Sequence, residues 1–378
     1  MIRRFALRIA VLAALLAPPS FVSAQTSPAC VAHVAVQAPE RYRAAVARAR
    51  TIICTELLPH IPGVQVAVAV DGKIVWSEGF GYADLERHVP VSATTQFRIG
   101  SVSKSLTGDA VALLVQQGKL DLDAPVQKYV PSFPVKPWPV TTRELAGHTA
   151  GVRHYRGDEF LLNKPYHSVT EGLAIFANDS LLFAPGTRFS YSTYGWNLIS
   201  AVVEGASGED FLAYMSRNVF RPLRMVHTAP DRVDSLIPDR TAFYDADSTG
   251  GFHRSPPVDN SYKWAGGGFV ATAEDLVTFG SAHLAPSARL TQASLDLLMT
   301  SQHSSDGKET GYGVGWFIAR DSLGHRYVLH GGGSVGGTTA FSVDRDGKIV
   351  FALCSNLTDA QLAPARVIPS LFDAPGPR

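Results

Sequence analysis

The chain has 378 residues, 46% of them hydrophobic and 18% charged, with a formal net charge of +1. That length and apolar content suffice for one large core or for two closely joined subdomains. The near-neutral balance gives no electrostatic footprint for nucleic acid or for an anionic membrane surface, so neither is expected as a partner.

Residues 1–24 have the pattern of an export signal. Arg3, Arg4 and Arg8 precede the apolar run Ile9–Leu16, and Val22-Ser23-Ala24 offers a small-residue cut before Gln25. The run is short for a membrane span, so cleavage after Ala24 and a periplasmic or secreted location are expected, an uncleaved anchor being the alternative. Cleavage takes 34 basic residues to about 31 against 33 acidic ones, a net charge of about −2. No later stretch is long and apolar enough to cross a bilayer, so no stable membrane insertion is expected after cleavage.

Cys30, Cys54 and Cys354 form an odd set, which leaves at least one thiol free or paired between chains. Export permits a Cys30–Cys54 bridge without the count requiring it. Cys354 ends the apolar run Ile349–Leu353 and reads as a small buried core residue.

Along the chain, Val46, Ile53 and Leu57 at helical spacing predict a helix between Pro39 and Pro59. Gly63–Val70, the turn Asp71-Gly72 and Lys73–Ser77 read as a hairpin. Leu106, Ala110, Leu113 and Leu114 predict a helix from Ser103 to Gln117, stopped near Gly118. The middle, up to about Ser261, mixes Pro/Gly-rich loops with helical pieces, clearest at Leu198–Val203 and Phe211–Met215. A helix is expected at Ala273–Leu284, and strands at Gly313–Ala319, Arg326–His330, Thr338–Asp344 and Lys348–Cys354. Asp359–Phe372 reads as a closing helix against which Pro364 and Pro369 argue. Strands at both ends and helices between imply one sheet from residues 37–100 and 262–378, with a helical insert over 101–261 and a cleft where they meet.

The chemistry begins at Ser101-Val102-Ser103-Lys104, at the opening of the Ser103 helix. Positions i and i+3 share a helix face, so the Lys104 amine can reach the Ser101 hydroxyl. A serine hydroxyl is almost never ionised at neutral pH and needs a base, which a lysine becomes when its surroundings lower its pKa. Partners are offered by Pro185–Asn197, which contains Tyr191-Ser192-Thr193, and by His330-Gly331-Gly332-Gly333. Other groupings are quieter. Gly331–Gly333 lacks the Gly-Lys-Ser/Thr of a phosphate cradle, and no Cys/His spacing suggests a metal site. Glu144 and Glu171 read as surface or capping residues, and His148 as a buried hydrogen-bonding residue near the cleft.

In this order, and with the flanks Arg98-Ile99-Gly100, Gly147-His148-Thr149-Ala150-Gly151 and Pro185-Gly186-Thr187, the motifs resemble those of the penicillin-recognising serine hydrolases. That family includes class C β-lactamases, D-Ala-D-Ala carboxypeptidases, related esterases and mitochondrial β-lactamase-like members, the last resembled through Ser-x-Ser-Lys-Ser-Leu-Thr and Tyr-Ser-Thr. The likeness starts near Gly63 and implies a single hydrolase domain over 25–378. It also implies an α/β (α+β) fold of the β-lactamase/transpeptidase type, an antiparallel sheet flanked by helices with an all-helical insert.

Carried over by residue, the resemblance makes Ser101 the acylating nucleophile, Lys104 its partner and Tyr191 the proton relay. His330-Gly331-Gly332 takes the place of the family's Lys-Thr-Gly, with His330 expected to hydrogen-bond substrate or Tyr191. The backbone N–H groups of Ser101 and Gly333 would hold the oxyanion, and Thr193, Gly331 and Gly332 would line the substrate. Thr193 stands where the family has asparagine, and histidine where it has lysine. Threonine cannot present the amide's paired groups, and a histidine is mostly neutral above its pKa near 6.5. Both departures favour a peptidase or esterase acting on a small-molecule or peptide substrate. A class C-like β-lactamase and a penicillin-binding sensor without turnover are the alternatives. No cofactor is implied.

Overall fold

A computed structural model describes residues 30–320, 324 and 326–373. The expected signal segment lies outside these residues. Strands from both ends of the chain form one antiparallel sheet: β1 Ala32–Val36, β2 Gly63–Val70, β3 Lys73–Asp84, β4 Phe317–Arg320, β5 Arg326–Ser334, β6 Gly337–Asp344 and β7 Ile349–Ser355. Their spatial order is β1-β3-β2-β7-β6-β5-β4, so β2 from the N-terminal part pairs with β7 from the C-terminal part. The short strand Val89–Pro90 extends the sheet beside β3.

Side chains alternate across this sheet, and both faces are covered. From β2 and β7, Val64, Val66, Val68, Phe351 and Leu353 enter a core shared with helix α1 (Arg43–Ile52) and with Phe372. Their neighbours Ala67, Ala69, Val350, Ala352 and Cys354 face the opposite core with the remaining helices. Small residues on that second face admit the helix Ala273–Ser281, where a Cβ on Gly280 would fall 2.5 Å from Val350. This two-sided burial explains why β2 is buried along its whole length and reads as a continuous apolar run. The Asp71-Gly72 turn has positive φ at both positions, 51° and 74°, which closes a tight hairpin with the twist its strands need.

Between β3 and β4 lie α2 (Ser103–Gln116), α3 (Thr142–Ala146), α4 (Val169–Leu173), α5 (Thr193–Ser207), α6 (Phe211–Met215), α7 (Trp264–Gly267), α8 (Ala273–Ser281) and α9 (Gln292–Met299). Helix α2 is buried on every side from Ser103 to Leu114, with α5, α7 and α9 packed around it. The nucleophile motif therefore sits at the centre of the molecule, between the sheet edge and the helices.

Several elements differ from the sequence reading. Strand β1 has no apolar alternation to betray it, because four of its five residues are exposed, and it is set by pairing to β3. The strand expected at Gly313–Ala319 begins at Phe317, because Gly315 has a φ of 82° and breaks the extended run. The closing segment is two 3₁₀ turns, Ala363–Val367 and Pro369–Phe372, each with proline at its start. A proline lacks the N–H that a continuous helix would use there. Cys30 and Cys54 are bridged, tying the first described residue to the end of α1, and Cys354 is a buried free thiol.

Candidate active site

Ser101 lies in a single 3₁₀ turn, Gly100–Val102, that runs directly into α2. Gly100 has a φ of 48°, a conformation open to glycine, and lets the chain turn sharply from the short strand Phe97–Arg98 into the helix. The turn is anchored from below. The buried Arg98 guanidinium donates to Asp231 at 2.6 Å and to the Val335 carbonyl at 2.8 Å, fastening the nucleophile's approach strand to the end of β5.

Lys104 is fully buried, and its Nζ lies 2.9 Å from Ser101 Oγ, 3.2 Å from Thr193 Oγ1 and 2.5 Å from the Gly266 carbonyl oxygen. Burial pushes the Lys104 pKa well below the usual lysine range, and the positive charge of nearby Lys263 pushes it the same way. A neutral amine has two N–H donors and one lone pair. Gly266 O can only accept and Thr193 Oγ1 accepts the second N–H, which leaves the lone pair facing the Ser101 hydroxyl. Tyr191 completes the group. Its ring centroid is 4.9 Å from Lys104 Nζ, and burial raises its pKa, offset in part by a hydrogen bond with Ser101. The opposite shifts of the two groups both favour neutral lysine beside neutral phenol.

Tyr191 and Thr193 straddle the start of α5. The hydroxyl of Ser192 caps the helix by accepting from the Gly195 N–H, and it donates to the Arg153 carbonyl. Thr193 therefore sits in the first turn, where its hydroxyl reaches Lys104 and its N–H donates to His154 Nδ1 at 3.2 Å. Gly266 has to be bare for this approach, since a Cβ there would lie 2.6 Å from the Thr193 methyl.

Strand β5 forms the opposite wall. A Cβ on Gly332 would fall 1.9 Å from the Ile99 carbonyl oxygen, and one on Gly100 would fall 2.7 Å from Gly333 N. The strand thus meets the nucleophile turn backbone to backbone, which brings the Gly333 amide beside Ser101 in one cleft, lined also by His154, Tyr155, Phe160, Thr193 and Lys263. Gly331 is exposed on the same strand.

His330 has partners other than those expected of it. Nδ1 lies 2.7 Å from the Gly331 carbonyl and Nε2 lies 2.9 Å from the Tyr312 hydroxyl. A carbonyl can only accept, so Nδ1 carries the proton and Nε2 accepts from Tyr312. Burial keeps His330 neutral, with its pKa pushed down to about 3, and a proton on nearby Lys104 would push it the same way. Both ring nitrogens are engaged within the protein, so the position where the family carries a free lysine here presents no cation to the cleft. His148 is buried as expected. Its Nδ1 accepts from the Ser192 N–H at 3.0 Å, and its ring centroid is 4.2 Å from that of Tyr191 and 4.6 Å from that of Tyr312. Glu144 caps α3 in a reciprocal box with Thr141, and Glu171 receives the Ser168 cap of α4.

Sequence reasoning missed Gly266, Tyr155, His154 and Lys263. The run Trp264-Ala265-Gly266-Gly267-Gly268 was a signal, because three glycines at a helix end often mark a close backbone approach. Nothing local marked Tyr155, whose ring packs edge-on against Tyr194 and Tyr262. Among the described residues no group of three or more His, Cys, Asp or Glu could hold a metal ion.

The Beta-lactamase family model matches residues 53–367. The mitochondrial serine beta-lactamase-like protein LACTB of Homo sapiens is 38% identical over 292 residues, which is 59% of this chain and 53% of that protein. The chain spans about half the length of the curated relatives it matches. The octameric penicillin-binding protein homologue from Pyrococcus abyssi superposes over 86% of this chain and 75% of its own, with a TM-score of 0.72 and 26% identity. A penicillin-binding protein from Bacillus halodurans superposes over 86% of this chain and 99% of its own, with a TM-score of 0.72 and 25% identity. With an antiparallel sheet, a helical insert and a family match that covers most of its length, the chain belongs to the Beta-lactamase family of serine hydrolases.

Proposed function

We propose that this protein is an exported serine hydrolase that cleaves amide or ester substrates through an acyl-enzyme on Ser101. The observation that carries the reading is the 2.9 Å contact of Ser101 Oγ with a fully buried lysine whose pKa burial lowers. In the first half-reaction Oγ attacks the substrate carbonyl carbon while its proton passes to Lys104 Nζ. The carbonyl oxygen gathers negative charge between the Ser101 and Gly333 N–H groups. The carbon–leaving-group bond then breaks, and the leaving nitrogen or oxygen takes a proton from the Tyr191 hydroxyl, which Lys104 restores. In the second half, water attacks the acyl carbonyl, its proton goes to the Lys104–Tyr191 pair, and the pair returns a proton to Oγ as the acid departs.

Two observations favour a peptidase or esterase over a class C-like β-lactamase. Thr193 spends its hydroxyl on Lys104, so it has no amide to offer a lactam side chain. His330 is neutral, buried and bonded to Tyr312, so no charge stands at the strand position where the family's lysine meets a lactam carboxylate. Export rests on residues 1–24, and among the described residues no helix is long and apolar enough to cross a membrane. The test is a substrate panel. An activated ester, an amino-acid anilide and a penicillin are offered to the wild type and to Ser101→Ala. Ester or anilide turnover that requires Ser101, with penicillin turned over at least a hundredfold more slowly, supports the reading. Turnover of penicillin alone returns the chain to the lactamases, and equal turnover by Ser101→Ala removes the nucleophile.

A further inference from the structure

Lys263 lines the same cleft as Ser101 and has no part in the acyl-transfer steps. It ends the 3₁₀ turn Ser261–Lys263, immediately before the helix whose Gly266 carbonyl holds Lys104, and it is only 2% exposed. Among the described residues its ammonium makes no hydrogen bond or ion pair. It rests instead over aromatic faces, 4.6 Å from the centroid of Phe160, 5.1 Å from Tyr262 and 5.6 Å from Tyr155. The acid that acts on it is Asp231, and that carboxylate is already committed to Arg98, Arg240 and Asn260.

An amine in this setting is costly. Withdrawing a lysine from water without a hydrogen-bonded counter-charge is strongly unfavourable, and ring faces return only a fraction of that cost. Burial and the Arg98 charge accordingly push its pKa down to about 7, and an anion arriving beside it would favour the charged form. Among the described residues lining the cleft the other basic side chain is His154, whose pKa burial and the neighbouring lysines push down to about 4. Lys104 is engaged by Ser101, Thr193 and the Gly266 carbonyl, and His330 is sealed behind Tyr312. A buried, unpartnered lysine beside a nucleophile is thus a counter-charge waiting for its partner.

We propose that Lys263 is the substrate-recognition cation of this enzyme, receiving a carboxylate carried by the substrate close to its scissile carbonyl. The inference rests on the hydrolase reading above and names the substrate class of that site: anionic esters or amides, with the aromatic faces of Tyr155 and Phe160 excluding water around the ion pair. Desolvation makes such a pair stronger than one at the surface, and a tenfold preference corresponds to about 1.4 kcal/mol.

The test uses matched substrates and two variants. Mono-4-nitrophenyl adipate is compared with 4-nitrophenyl hexanoate, and 3-acetoxybenzoate with phenyl acetate, so that the carboxylate sits on the acyl side in one pair and on the leaving side in the other. In at least one pair the wild type should favour the anion, and Lys263→Met should cut the anionic-to-neutral ratio of kcat/KM at least tenfold while Lys263→Arg keeps most of it. The ratio cancels any change in Lys104 basicity that loss of a neighbouring charge brings. Calorimetric binding of adipate and of 3-hydroxybenzoate to the Ser101→Ala protein, with and without Lys263→Met, reads the same contact without turnover. Weaker binding on loss of Lys263 supports the assignment even where Ser101 itself proves not to be the nucleophile. Ratios and carboxylate affinities that Lys263→Met leaves unchanged overturn it.

Discussion

Replacing Gly332 by alanine isolates the contact that brings the two halves of the site together. The new Cβ would stand 1.9 Å from the Ile99 carbonyl oxygen and 2.9 Å from its carbon, both backbone atoms of the segment that presents Ser101. Backbone cannot rotate away as a side chain end can, so relief requires β5 to retreat from the nucleophile turn by about 1 Å, a displacement that in other enzymes costs on the order of 10²-fold in rate. The Gly333 N–H moves with the strand. Loss of one oxyanion donor is worth about 10² to 10³ in kcat, or about 3–4 kcal/mol of transition-state stabilisation. Strain adds about 1–3 kcal/mol of destabilisation. Gly331→Ala is the control, because its Cβ meets only the Thr339 carbonyl, at 3.9 Å. Steady-state kinetics on an activated ester and thermal unfolding of both variants separate the effects. A folded Gly332→Ala protein with more than about a third of wild-type kcat would refute the reasoning, because the strand would then not need to lie where it does.

Three further outcomes follow from the same geometry. Lys104→Arg replaces a neutral amine by a permanent cation, so kcat should fall by about 10³ or more, and the wild-type rate should rise with pH through an ionisation well below 10.5; an active arginine variant would contradict this. His330 should make the fold acid-sensitive. A folded pKa of about 3 against 6.5 when unfolded gives stability that is complete above pH 6.5 and lost as the pH falls towards 3, about 2 kcal/mol between pH 7 and pH 5, and denaturant titrations that are flat over that range would exclude it. The Cys30–Cys54 bridge closes a loop with a sequence separation of 24, so reducing it or replacing both residues by serine should cost about 3 kcal/mol in denaturant unfolding, and an unchanged midpoint would count against that contribution.

Much of this was legible in the sequence, for a physical reason. Ser101 and Lys104 are three residues apart across the 3₁₀ turn that runs into α2, so their contact is local, and strands such as β2 and β7 carry their apolar runs openly. The fold class followed from strands at both ends and helices between. What escaped was whatever tertiary packing creates. Strand β1 is exposed on most of its length and its small apolar residues do not alternate with polar ones, and α9 is only eight residues long, so neither stands out by its pattern. The fate of His330 turned on Tyr312, a residue in an irregular segment that no spacing links to it. Gly266 and Lys263 reach the site only because the turn before α8 folds back over α2, and a single lysine in a mixed segment looks like any surface lysine until its burial is known.

The central claim is that Ser101 carries the substrate's acyl group. Intact-mass spectrometry of the protein quenched within milliseconds of mixing with an activated ester, followed by peptide mapping, reads that group directly. One acyl increment per chain is expected, located on the peptide containing Ser101, absent from Ser101→Ala and accumulating when Tyr191→Phe slows its release. An increment on any other residue, or none at all while wild-type turnover proceeds at full rate in Ser101→Ala, would contradict it.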